Sequence, residues 1–240
     1  MKPFLPKQHG AWAMLIVPFI IGTFIGEPSL IHIPFFLSWL FIYMATYMGL
    51  TSLRIKQNDK FIKWASIYSA IGVPLALITT LMNLNIVYFL VAMLPFFCIN
   101  VYFAKTNNER ALLNDFAAII IFSIGGLAAY FAGANSISIT AIIATLAAFL
   151  FFFTCTLYVK TMIREKSNPL YRWYSWGGHS LVIILFILLG YNLIALAFVF
   201  SLARAVYMYG KVASPMKVGI IEIVNSTYFT LIIILALRQN

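Results

Sequence analysis

The chain has 240 residues, 63% of them hydrophobic and 9% charged, with a mean hydropathy of +0.96 and a formal net charge of +10. A soluble domain carries about 25% charged residues to wet its surface, so this composition excludes one and makes lipid the matching solvent. Basic loops facing anionic membrane lipids account for the positive charge, and no nucleic-acid partner is required.

A helix crossing about 30 Å of hydrocarbon takes about 20 residues at about 1.5 Å each. Apolar stretches of that order occupy 10–26, 30–53, 62–80, 85–104, 111–132, 137–160, 174–190, 192–209 and 216–237. The expectation is an all-α, polytopic membrane helical bundle of about nine transmembrane helices, one integral membrane domain over 1–240. Asn/Gly turn chemistry divides the closest pairs, at Asn83-Leu84-Asn85 and Gly190-Tyr191-Asn192.

Charge tests the count. Of the 16 Lys and Arg residues, all but Arg238 precede the first span or flank alternate connections. The intervening connections, at Glu27-Pro28-Ser29, Asn83, Gly133-Ala134-Asn135 and Tyr191, contain none. The positive-inside rule then predicts an inside amino terminus and an outside carboxyl terminus in a bacterial cell membrane. The first span reads as retained, since no small-residue cleavage site follows its basic start. Cys98 and Cys155 fall inside apolar stretches and read as small packing residues, not as a disulfide.

Polar residues at membrane depth are costly, and each raises a functional question. His9, in Lys7-Gln8-His9-Gly10-Ala11-Trp12, is a proton donor, an anion ligand or an interfacial cap beside Trp12. Arg54 closes the second span after Thr51-Ser52-Leu53, as an anion-binding edge or a positive-inside flank. Asn107 or Asn108 is placed to cap the fifth span, with Glu109 near its positive end. Asp115 lies beyond that first turn and calls for a cationic or hydrogen-bonding partner. Tyr158, Lys160 and Arg164 end the sixth span, where the two cations, four residues apart, share a helix face. Both attract phosphate or carboxylate, or snorkel to the interface.

Trp176-Gly177-Gly178-His179 opens the seventh span, its glycines permitting close approach of another helix or a ligand. Arg204 sits more than a turn inside the eighth. Ser214-Pro215 opens the ninth as cap and first-turn proline. Glu222 is about 10 Å further along that helix, with Asn225 and Ser226 on its face. Arg204, at similar depth, is the expected partner of Glu222.

The opening Pro6-Lys7-Gln8-His9-Gly10-Ala11-Trp12-Ala13, with Asn108-Glu109-Arg110 and Asn114-Asp115, resembles the YwiC-like family of bacterial membrane proteins. The architecture also looks like the UbiA superfamily of intramembrane prenyltransferases. That second resemblance implies nine helices, an inside amino terminus, a cytoplasm-facing site and Mg²⁺ held by two Asp-rich motifs against a prenyl diphosphate. Asn58-Asp59-Lys60-Phe61-Ile62 keeps the opening of the first motif, with Ile62 where the next Asp belongs. Around Tyr158 only Glu165 remains, so the sequence names no cofactor, and direct contact of cations with phosphate replaces the metal.

The resulting expectation is a cytoplasm-facing polar and cationic cavity for an amphipathic anionic or isoprenoid lipid. Arg54, Lys160 and Arg164 would contact the head, with Asn108, Tyr158, Arg204 and Asn225 completing the binding set. His9, Asp115 and Glu222 would orient polar groups or move protons. Binding alone and a divergent UbiA-like transfer are both compatible with these residues. A small-anion or metabolite transporter would need polar groups through the full thickness; His32 and Asn85 are the candidates on the outer side. A non-catalytic subunit or assembly factor would tolerate substitution at Glu222 and Asp115.

Overall fold

The computed structural model describes residues 5–6, 9–55 and 59–238; His9 opens the first helix, and its side chain lies outside the described set. Nine helices follow one another, with no strand among the described residues: α1 (His9–Ile25), α2 (His32–Arg54), α3 (Asp59–Met82), α4 (Ile86–Lys105), α5 (Leu112–Ala134), α6 (Ile139–Ile163), α7 (Pro169–Leu188), α8 (Asn192–Met208) and α9 (Pro215–Leu237). Six of these, α2 to α6 and α9, have the length and hydropathy to cross a membrane, while α1 and α8 are shorter apolar helices.

Local chemistry explains the boundaries. Ser138 and Ser214 accept from the backbone N–H groups of Ala141 and Lys217 and so cap α6 and α9. Asn168 does the same for Leu170 and puts Pro169 in the first turn of α7, five residues before the apolar stretch begins. Gly190 turns the chain between α7 and α8 at φ 82°, in the left-handed region where glycine carries no Cβ penalty. One expectation is corrected. Neither Asn107 nor Asn108 caps α5; Ala111 precedes it without a side-chain cap. Asn107 instead takes φ 54° in the turn, and the Asn114 amide donates to the Glu109 carbonyl at 2.8 Å.

Helix α1 is the hub, packing on α5, α9, α6 and α2. Its contact with α5 depends on glycine. A Cβ on Gly126 would lie 2.6 Å from the Pro18 carbonyl oxygen, and one on Gly22 would collide with the Gly126 carbonyl. Backbones pack this closely where small residues face each other. The α2–α3 hairpin attaches to the remainder through α1, α4 and α5.

In the α6–α9 half, Phe151, Phe186, Phe198 and Phe229 form a plate, each no more than 1% exposed. Phe151 stacks on Phe229 with centroids 3.9 Å apart, and Phe186 on Phe198 at 5.7 Å. Toward the basic loops, Tyr158, Met162, Ala205, Met208, Ala213 and Val218 make a second apolar cluster. Between the two clusters lie Ser201 and Arg204 on α8 and Glu222 and Asn225 on α9.

Candidate functional site

The bracketed layer is built one turn from the phenylalanine plate. Cys155 follows Phe151 by four residues on α6, Asn225 precedes Phe229 by four on α9, and Ser201 and Arg204 follow Phe198 on α8. An α-helix returns to the same face every three to four residues, so side chains that build the plate impose the direction of those beside it. Arg204 pairs with Glu222 through Nη1. Its other terminal nitrogen donates to Cys155 Sγ at 3.6 Å, and its guanidinium lies 4.0 Å over the Tyr158 ring. Asn225 donates to the same sulfur at 3.5 Å and accepts from Ser201 Oγ at 2.9 Å.

Helix α7 contributes Ser175 and His179, one turn apart. Trp176 Nε1 donates to the Ala205 carbonyl at 3.2 Å, and Gly178 faces Thr154 and Leu157. These contacts hold α7 against both α8 and α6 at the level of the layer. Tyr158, His179, Ser201 and Asn225 are fully buried, and Arg204 is 5% exposed. Within this pair Glu222 is the more accessible side chain, 12% exposed against 3% for Arg204.

A second pair joins α5 to α6 nearer the basic loops. Lys160 Nζ lies 2.9 Å from Asp115 Oδ2 and donates to the Arg110 carbonyl at 2.8 Å. A third, exposed pair joins Arg54 Nη1 to Glu109 Oε2 at 2.7 Å. Asp115 and Glu222 therefore have the cationic partners that burial demands. Lys160 and Arg164, joined by the Arg164 N–H to Lys160 carbonyl bond at 3.1 Å, differ in burial. Lys160 turns inward at 4% exposed, whereas Arg164 lies past the end of α6 and is exposed. Asn108 is exposed in the α4–α5 turn, away from the buried layer.

The sequence presents Cys155 as a packing residue and His179 only as the end of Trp176-Gly177-Gly178-His179, and it does not single out Ser175 or Ser201. His179 carried a usable signal, since an ionisable residue in an apolar helix is a functional candidate by default. The glycine pair before it is not a site of close approach: a Cβ on Gly177 would meet nothing within 4 Å, and one on Gly178 would make ordinary contacts.

Between α2 and α3, near the basic end, runs a groove of about 710 Å³. Gly49, Ser52, Ala65, Ser66, Ser69 and Ala70 supply its small side chains. Lys63 stands on the same stripe of α3 one turn before Ser66, exposed and without an ion-pair partner among the described residues. Arg54 ends α2 two residues beyond Ser52. On the opposite end, His32 is committed to structure: Nε2 bonds the Ala129 carbonyl at 2.8 Å, and Nδ1 meets the Ser29 amide at 3.1 Å. Asn83 bonds Asn135 there at 2.7 Å.

The residues do not fit an Mg²⁺–diphosphate centre. No three His, Cys, Asp or Glu side chains stand close enough to hold a metal ion among the described residues. Glu165, near α6, lies within 3.4 Å of the Asn168 amide.

The YwiC-like protein family matches residues 5–130. A Bacillus subtilis (strain 168) relative, described as uncharacterized protein YwiC, is 39% identical over 239 residues and covers 100% of both chains. The chain belongs to the YwiC-like family. An uncharacterized Haemophilus influenzae relative is 38% identical, covering 98% of this chain and 99% of its own. No solved structure matches. The YwiC-like match spans α1 to α4, most of α5 and the α2–α3 groove. The buried layer of α6–α9 lies beyond it, within the part covered by the full-length YwiC-like relatives.

Proposed function

We propose that this protein binds an amphipathic lipid with an anionic head, entering from the basic side of a bacterial cell membrane. Its acyl or isoprenoid chain lies along the α2–α3 groove, and its head meets Lys63 and Arg54. The groove carries this reading. Its about 710 Å³ falls within the roughly 300–1,000 Å³ of ligand pockets. It opens to the side, as a lipid-filled groove must, and basic residues stand at one end only. Arg54 exchanges its surface pair with Glu109 for the head at small cost, because exposed ion pairs contribute about 0–1 kcal/mol. Lys160 is already held by Asp115 and serves to fix α5 on α6.

The one-sided distribution of polar groups further favours binding over transport. In the α6–α9 half the phenylalanine plate interrupts any polar path, and His32, Asn83 and Asn135 at the far end are bonded within the fold. Metal-assisted transfer is no part of this reading.

Purification in native nanodiscs followed by lipid mass spectrometry tests it. Wild type should enrich one class of anionic lipid over the bulk membrane. Ser69→Phe, which fills the groove, and Lys63→Ala/Arg54→Ala, which strips its rim, should each lower that enrichment about tenfold, equivalent to about 1.4 kcal/mol. Identical lipid profiles in wild type and both variants would reject the groove.

A further inference from the structure

Four polar atoms in the α6–α9 layer find no hydrogen-bond partner among the described residues: Tyr158 Oη, Ser175 Oγ, His179 Nε2 and Arg204 Nε. Their side chains belong to residues 0%, 1%, 0% and 5% exposed. In a bilayer an orphaned polar group has no solvent to turn to, and each costs on the order of 1–3 kcal/mol or more. One orphan is tolerable as a packing compromise. Four in one layer, on three adjacent helices, ask for a common partner.

The hydrogen bonds already formed define that partner. His179 Nδ1 lies 2.7 Å from the Ser175 carbonyl oxygen. A carbonyl only accepts, so Nδ1 carries the hydrogen, and the neutral ring presents Nε2 as a bare lone pair. Arg204 Nε–H can only donate. The Tyr158 and Ser175 hydroxyls can each do either. The unmet set is thus one acceptor, one donor and two adaptable hydroxyls. An ion is not called for, because Glu222 already balances Arg204. A carbonyl or ether would leave His179 unsatisfied, and an ammonium would leave Arg204 unsatisfied. A hydroxyl meets both needs, donating its hydrogen to Nε2 while its oxygen accepts from Nε–H or Tyr158.

We propose that the α6–α9 layer is a second binding site, distinct from the α2–α3 groove, for an uncharged O–H group supplied by water or by an alcohol or phenol. The phenylalanine plate closes the site on one side and Met162, Met208 and Val218 on the other. Of the Arg204–Glu222 pair, Glu222 is the side nearer the surface.

The test uses ¹⁵N-histidine-labelled full-length protein in nanodiscs, with phenol as the organic probe. The chain has three histidines, and loss of one signal set in His179→Gln assigns the third. The expected spectrum shows His179 as the Nδ1–H tautomer, with Nε2 shifted as a hydrogen-bond acceptor. A cross-peak from water protons to Nε2 that survives excess phenol identifies water as the guest; its replacement by a phenol cross-peak identifies an organic hydroxyl site. Tyr158→Phe and Ser175→Ala keep the His179 ring and the Ser175 carbonyl, and each should weaken the guest cross-peak at least threefold without changing the tautomer. The proposal is overturned if Nε2 carries the hydrogen, or if it shows a free-acceptor shift with no cross-peak to either probe. Groove-filling Ser69→Phe should leave these signals unchanged, so this site and the lipid groove fail or survive separately.

Discussion

Arg204 and Glu222 show how a charge persists inside an apolar bundle. Each is covered by the other, and Arg204 also by the Tyr158 face and the Cys155 sulfur. Removing one partner leaves an uncompensated buried charge, which costs about 3–5 kcal/mol, whereas removing both in favour of similar-sized apolar residues is often neutral. Glu222→Leu and Arg204→Met should therefore each lower unfolding stability in detergent by about that amount, and the double variant should recover most of it. A double variant as unstable as the sum of the singles would show that the pair does not act as a unit. These two residues were legible in the sequence because a charge in an apolar run stands out. Ser175, Ser201 and Cys155 were not. Small polar residues bond harmlessly to their own helix, as Thr154 does to Leu150 and Ser123 to Ile119, and only the neighbouring helix distinguishes Ser201, which bonds across to Asn225.

Helix positions followed from hydropathy and capping, with the largest displacement at α7, where Asn168-Pro169 extends the helix toward the basic loops. How closely two helices approach did not follow. Gly125 and Gly126 are adjacent in sequence yet face different helices, one against the Trp39 ring and the other against the Pro18 carbonyl. In the Gly177-Gly178 pair, alike in sequence, a Cβ on Gly177 would meet nothing within 4 Å and one on Gly178 only ordinary contacts with Thr154 and Leu157. Gly126→Val should thus push α1 from α5 and lower the melting temperature, at a cost of about 1–3 kcal/mol from overpacking. Gly177→Ala should be neutral, or stabilising by about 0.5–1 kcal/mol through helix propensity. Thermal unfolding of both variants in the same detergent compares them directly, and an equal loss in each would refute the assignment of close contact to α5.

The molecule is polarised as a whole. Its basic connections, 55–58, 106–111, 164–168 and 209–214, alternate with connections free of Lys and Arg, and nine spans would put the termini on opposite sides. In a Cys98→Ala background, Asn135→Cys should label with a membrane-impermeant thiol reagent in intact cells, and Lys166→Cys only after permeabilisation. The reverse pattern would invert the topology. Hydropathy and loop charge determined the helical class, the element order and this expected polarity, because each depends on a residue's own transfer energy between water and lipid. Tertiary structure decided which polar residues meet. It paired Arg204 with Glu222 and Lys160 with Asp115, buried His179 completely, and set the phenylalanine plate across the α6–α9 half. Those outcomes depend on the rotation of each helix about its axis, and that rotation is set by contacts between helices far apart in the chain.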